Sequence, residues 1–149
     1  MLKRIRYVSE FSRQMSAADL EQLTARSAAS NAEVGITGVL VATGSMFFQV
    51  LEGDPARVDE LFARISGDGR HRQVLVLEVE QGDLARLFPG WPMRKLDLSD
   101  ESVQRLGSVR AILKAIHAQR IVMQNLRGAL EQAVWQEVVS SGALKEPGA

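Results

Sequence analysis

The chain has no cysteine among its 149 residues. That excludes disulfides, thiolate metal sites and a cysteine nucleophile. Histidine is nearly as scarce: His71 and His117 are the only two and stand far apart in sequence, so no His-rich metal centre is expected. Neither sign of charge dominates, with 18 Lys and Arg against 18 Asp and Glu. Nothing in that balance favours nucleic acid or an anionic membrane as a partner. No apolar run approaches the roughly 18 residues of a membrane span, and no signal peptide is visible, so a soluble cytoplasmic protein is expected. Aromatic residues make up 5% of the chain, and Tyr7 is its only tyrosine. Internal repeats and low-complexity segments are also missing.

What is there centres on residues 35–53, GITGVLVATGSMFFQVLEG. Two β-rich runs, 36–42 and 46–51, flank Thr43-Gly44-Ser45, the pattern of an antiparallel hairpin. Both runs are almost wholly apolar, which places the hairpin in the middle of a sheet covered on both faces. Gln49 is the exception, a carboxamide among core formers. Burying it unpaired costs on the order of a few kcal/mol. Either it is tied to nearby backbone, or it is the polar contact inside an apolar ligand site.

Residues 2–9 alternate as a first strand, with Ile5, Tyr7 and Ser9 on one face. Ser16, with Asp19 three residues on, marks the start of a helix over 16–31. Its inward stripe of Leu20, Leu23, Thr24 and Ser27 returns at Asn31, which is either the polar end of that stripe or a helix C-cap. After the hairpin, Asp54-Pro55 opens a second helix. Val58, Leu61, Phe62 and Ile65 recur on one face of it, and Gly67 ends it. Residues 73–80 read as a fourth strand, 83–88 as one or two helical turns, and 94–98 as a short fifth strand beyond the Pro-rich Pro89-Gly90-Trp91-Pro92. The order βαββα with further strands implies an α+β fold whose two helices cover one sheet face.

Residues 99–141 contain no proline and keep helical periodicity from Val103 and Leu106 through Ile112, Ile116, Val122, Leu126, Leu130 and Val134. Gly107-Ser108 is expected to divide this region into a short and a longer helix, with a second break open near 117–119. Its apolar stripe serves to cover the free sheet face, to pair with a second subunit, or both. Residues 142–149 are expected to fray. Three regions follow: a domain over 1–98, a helical extension over 99–141 and the tail.

Four ordered matches then carry a resemblance: Tyr7-Val8-Ser9; Asn31 followed by Gly35-Ile36-Thr37-Gly38; Phe47-Phe48-Gln49-Val50-Leu51-Glu52-Gly53; and Asp68-Gly69-Arg70-His71, with Trp91-Pro92-Met93 after them. Over roughly residues 1–98 the chain resembles the BLUF family, blue-light sensors that use FAD. The resemblance implies a ferredoxin-like βαββαββ sheet with the flavin ring between the two helices. It implies that Tyr7 and Gln49 are the photoactive pair and that Asn31 binds the ring. Asp68, Arg70 and His71 line the cofactor site by the same likeness, and Trp91 and Met93 fall in the signal-responsive fifth-strand region. The sequence departs from the family at Ser30, where many members have a second Asn.

The residues suit that chemistry. The polar edge of a flavin alternates acceptors with a donor, and one carboxamide such as Asn31 meets an adjacent pair at once. Leu23 and Ile65 can supply apolar walls to the other end of the ring. Gln49 both donates and accepts, so rotating or tautomerising it exchanges those roles. Each residue also has a plainer reading: Tyr7 as a core tyrosine, Arg70 as a solvated loop charge, His71 as an edge histidine, Trp91 and Met93 as filler. Trp91 competes with Tyr7 as an electron donor only if it points inward. The function expected is a non-enzymatic receptor that binds FAD non-covalently and no metal. It would signal to a downstream protein or a second copy through its C-terminal helices. The rivals are a flavin-dependent oxidoreductase and a cofactor-free ferredoxin-like binding module.

Overall fold

Local chemistry sets where each element of the computed structural model begins and ends; residues 1–43, 46–98 and 107–140 are described. In chain order they form β1 (Leu2–Phe11), α1 (Ala17–Glu33), β2 (Thr37–Thr43), β3 (Met46–Gly53), α2 (Pro55–Ser66), β4 (His71–Gly82), β5 (Arg94–Asp97) and α3 (Gly107–Ser140). Ser16 and Asp19 close a reciprocal capping box at 3.1 Å each way, a device worth about 1 kcal/mol. Asp54 accepts from the N–H groups of Ala56 and Arg57, Pro55 takes the first turn of α2, and Gly67 caps its end.

The five strands lie in the order β4-β1-β3-β2-β5. β1 runs antiparallel to both β3 and β4, β2 antiparallel to β3, and β5 parallel to β2. The hairpin therefore occupies the middle of the sheet, with Thr43 opposite Met46. Its turn residues Gly44 and Ser45 lie outside the described residues. Register pairs Ile5 with Leu51, Tyr7 with Gln49 and Ser9 with Phe47. By the period of two these six share one face, and Leu20 of α1 and Val58 of α2 join their buried cluster. The opposite face carries Arg4, Val8, Val50 and Glu52.

Two sequence readings need correction, over 83–88 and in β4, and two open ones are resolved. Asn31 is not the C-cap of α1, which continues to Glu33 and is capped by Val34 ahead of Gly35 at φ 69°. The chain over 83–88 has no helical turn. Its backbone groups are taken by buried side chains instead: Ala85 O accepts from Arg4, and Leu87 and Phe88 N–H donate to Glu52. β4 is longer than 73–80 at both ends and its register against β1 slips twice, between Arg6 and Tyr7 and between Val8 and Glu10, with Gln73 at φ 50°. Finally, α3 passes 117–119 unbroken, while the short helix expected before it lies outside the described residues, as do Val103, Leu106 and the tail over 142–149.

The chain divides into two compact units, residues 1–110 and 111–149. The first holds the sheet with α1 and α2. In the second, α3 leaves Ile112, Val122, Met123, Leu126, Leu130, Val134, Trp135 and Val139 each more than half exposed. Among the described residues no helix is long and apolar enough to cross a membrane.

Candidate functional site

A cleft of about 330 Å³ opens where the stripes of α1 and α2 face the sheet. Leu23, Ser27 and Asn31 reach it from α1, Leu61, Arg64 and Ile65 from α2, and Leu40, Phe47 and Gln49 from the hairpin. Asp68, Arg70 and His71 close one end, and Met93 lines it from the approach to β5. Of the ten residues singled out in the sequence, eight therefore line one cavity: Leu23, Asn31, Gln49, Ile65, Asp68, Arg70, His71 and Met93. Tyr7 lies beneath it, and Trp91 lies outside.

The floor is a chain of side-chain contacts. The Tyr7 hydroxyl donates to Gln49 Oε1. Gln49 Nε2 then donates to Met93 Sδ at 3.5 Å. Gln49 is only 6% exposed, and both its partners are side chains, so backbone is not what satisfies it. Tyr7 is fully buried against the edge of Phe62, with centroids 5.2 Å apart. Burial pushes its phenol well above the ordinary range, so the hydroxyl keeps its proton at neutral pH.

Asn31, also buried, donates through Nδ2 to Pro92 O at 2.8 Å. Among the described residues its Oδ1 accepts no hydrogen bond, which leaves one acceptor and one donor proton for a ligand. Met93 is 6% exposed and Trp91 36%. The indole stacks on Phe88 at 5.7 Å, beneath the Arg94 guanidinium at 4.4 Å from its ring centroid. The Trp91 side chain therefore does not enter the cleft as a rival electron donor. Its carbonyl does matter, accepting from Gly38 N–H at 2.8 Å. A Cβ at position 38 would sit 2.0 Å from Val50 O, so only glycine fits there.

At the other end, Arg70 Nε donates to Asp68 Oδ1 at 3.0 Å, and Arg70 N–H donates to the same oxygen at 2.9 Å. The guanidinium's hydrogen bonds, against a smaller opposing effect of burial, hold the Asp68 carboxyl at about 2. His71 Nδ1 meets Ser9 Oγ at 2.8 Å, and its ring lies 5.0 Å from Phe47. Burial lowers the imidazole, with Asp68 opposing, so it is neutral at pH 7.

Sequence reasoning did not single out Arg26, Ser27, Leu40, Phe47, Leu61 and Arg64 as site residues, although all line the cleft, as does Ser30, where the chain departs from the family. For Arg64 a signal existed: with Leu61 and Ile65 it lies on one edge of α2, yet a basic residue in a last turn reads first as a partner of the helix dipole. The contact of Ser9 with His71 depends on the pairing of β1 with β4, which no local pattern announces.

The residues fit a flavin. Apolar walls from Leu23, Leu40, Phe47, Leu61 and Ile65 suit a flat ring, Asn31 and Gln49 supply a polar edge, and the volume is within the usual range of ligand sites. Arg26, Arg64 and Arg70 line the same cleft and can meet phosphate, Arg70 with its guanidinium shared with Asp68. Among the described residues no cluster could hold a metal ion.

Comparison with known proteins agrees with this geometry. The family model described as sensors of blue light using FAD matches residues 2–94. The photoactivated adenylate cyclase subunit beta of Euglena gracilis is 35% identical over 86 residues, 58% of this chain but only 10% of that protein. The chain thus spans about a tenth of the curated relatives it matches. A bacterial light-regulated adenylyl cyclase superposes with a TM-score of 0.78 at 32% identity, covering 84% of this chain and 36% of its own. The dark-state structure of BlrB, a BLUF protein, does so with a TM-score of 0.66 at 34% identity, covering 75% of this chain and 83% of its own.

Proposed function

The chain belongs to the BLUF family, and from that premise we propose that it is a receptor that holds FAD non-covalently and reports blue light through a protein contact. The observation that carries this reading is the chain of contacts from Tyr7 through Gln49 to Met93 along the floor of a flavin-sized cleft. FAD rather than a monophosphate flavin is favoured by the guanidiniums of Arg26, Arg64 and Arg70, more than a single phosphate needs.

When bound, the flavin supplies a ring that absorbs blue light and whose excited state is an oxidant. Tyr7 is placed to give up an electron, and its hydroxyl proton has an acceptor in contact at Gln49 Oε1. If Gln49 Oε1 took that proton and Nε2 gave one up, the carboxamide would stand in its tautomeric form and be free to rotate. Its donor and acceptor ends then trade places with no change of composition. Met93 Sδ is a weak acceptor, so releasing it costs Gln49 little. Asn31 orients the ring edge, Ile65 walls the cleft, and Asp68, Arg70 and His71 close the end near the phosphate-binding cations.

Residues 1–98 then act as the sensory part and 99–141 as the output. The relatives' cyclase activity is a property of those longer proteins. For this chain the reading is a non-enzymatic sensor whose α3, with its exposed apolar residues, meets a second copy or a separate signalling protein. The test is an absorption spectrum before and after blue light. A small red shift that reverses in the dark supports the reading. Bleaching with turnover of an added reductant contradicts it in favour of an oxidoreductase, and a colourless protein from flavin-supplemented cells in favour of a cofactor-free module.

A further inference from the structure

Glu52 is 0% exposed, on the sheet face away from the cleft, and all its carboxylate contacts are filled. Oε2 accepts from Arg4 Nε at 3.1 Å and Leu87 N–H at 3.0 Å; Oε1 accepts from Thr37 Oγ1 at 3.1 Å and Phe88 N–H at 2.7 Å. Arg4 adds a bond to Ala85 O at 2.6 Å, and Arg86 reaches Gly35 O and Thr37 Oγ1, each at 2.8 Å. One end of the segment 85–93 is thereby fixed. Its other end stands at the cleft, where Trp91 O accepts from Gly38, Pro92 O from Asn31 and Met93 Sδ from Gln49. Pro89-Gly90, with Gly90 at φ 76°, turns the chain between the two ends.

We propose that Glu52 is a positioning residue for the light switch: by holding Leu87 and Phe88 on one sheet face, it sets where Pro92 and Met93 stand against Asn31 and Gln49 on the other. The inference rests on the function proposed above. Gln49 and Glu52 belong to one strand, three residues apart, and so point to opposite faces. The strand and the strap 85–93 together form a closed frame around the sheet. A carboxylate is required because it presents acceptors only. An amide at position 52 would turn an NH₂ toward N–H groups of Leu87 or Phe88, donor against donor. The strap would then lose its fixed end while the residues at the cleft stay unchanged.

The test is Glu52→Gln, with Met93 labelled at its methyl carbon and amide exchange followed at Gly38, in flavin-free and flavin-loaded protein. We expect the variant to remain yellow. The Gly38 amide should exchange about tenfold faster or more, as local opening of the strap becomes easier. The Met93 methyl resonance should move, and the dark-recovery time should change by about threefold or more, a barrier shift of at least about 0.6 kcal/mol. Val8→Ala, a cavity on the same sheet face that cuts none of these hydrogen bonds, should lower stability without moving Met93 or the recovery time. An unmoved Met93 methyl with unchanged recovery in Glu52→Gln overturns the proposal. If Glu52→Gln does not fold, Arg86→Gln cuts the same strap, and the same two readouts decide. Should the unaltered protein show no light-induced shift, the functional reading fails by itself, and the Met93 and Gly38 signals of the flavin-free protein still decide whether Glu52 sets the strap.

Discussion

The two faces of the central sheet hold their polar residues in opposite ways. Toward the helices, Tyr7, Gln49 and Met93 form a neutral chain that ends on a thioether, one of the weakest acceptors a protein offers. Away from them, Arg4 and Glu52 form a charged, buried pair in which every carboxylate contact is filled. Hydrogen bonds to charged groups contribute roughly twice what neutral ones do. The lesson is a division of labour. The contact that must change is neutral and easily released, and the contact that must not is ionic and saturated. The segment 85–93 ties one to the other.

The first way to break this comparison is to remove the hydroxyl at the neutral end. Tyr7→Phe should bind flavin yet lose the normal photocycle altogether, seen as an absent red shift after illumination. Breaking the ionic end should instead act on stability. Glu52→Ala leaves Arg4 buried with only part of its partners, and should cost about 3 kcal/mol or more in urea unfolding. A smaller effect is expected from Asn31→Ala, which removes the bond to Pro92 and, on the proposed function, the contact with the flavin ring. Flavin retention should weaken by about 1–3 kcal/mol, read by titration.

Two steps on the acid side sharpen the contrast further. Arg70 depresses the Asp68 carboxyl to about 2, so its contribution is complete above the ordinary carboxylate range and is lost as pH falls toward 2. His71 is lowered by burial, so its neutral form is favoured in the fold, and that stability declines as pH drops below about 6.5. Thermal melts should therefore show two acid-side losses, with Asp68→Asn removing the lower one. The smallest effect belongs to Trp91→Phe. With its side chain outside the cleft, the dark spectrum should stay within error of the unaltered protein.

Much of this was legible in the sequence because it depends on local rules. Ser16 with Asp19 and Asp54 with Pro55 announce the helix starts, and the period of two places Tyr7 with Ser9 before any pairing is known. Gln49 stood out because nothing else in its run is polar. The misses share a cause. Residues 83–88 have the composition of a helical turn, but a buried carboxylate two strands away outcompetes the helix for their N–H groups. For Asn31 the two open readings, C-cap or polar end of the stripe, are decided for the second by its bond to Pro92, far along the chain. Arg64 and Ser9 gain their place in the site only from packing and strand pairing. Long-range partners decided each case, and a single sequence does not display them.

The central claim is most directly tested by blue-light difference spectra of the purified protein and of Gln49→Leu, both loaded with FAD and recorded side by side. The account predicts a small, dark-reversible red shift in the first and none in the second, with both proteins yellow. A shift of normal size in Gln49→Leu, or none in the unaltered protein, would contradict it.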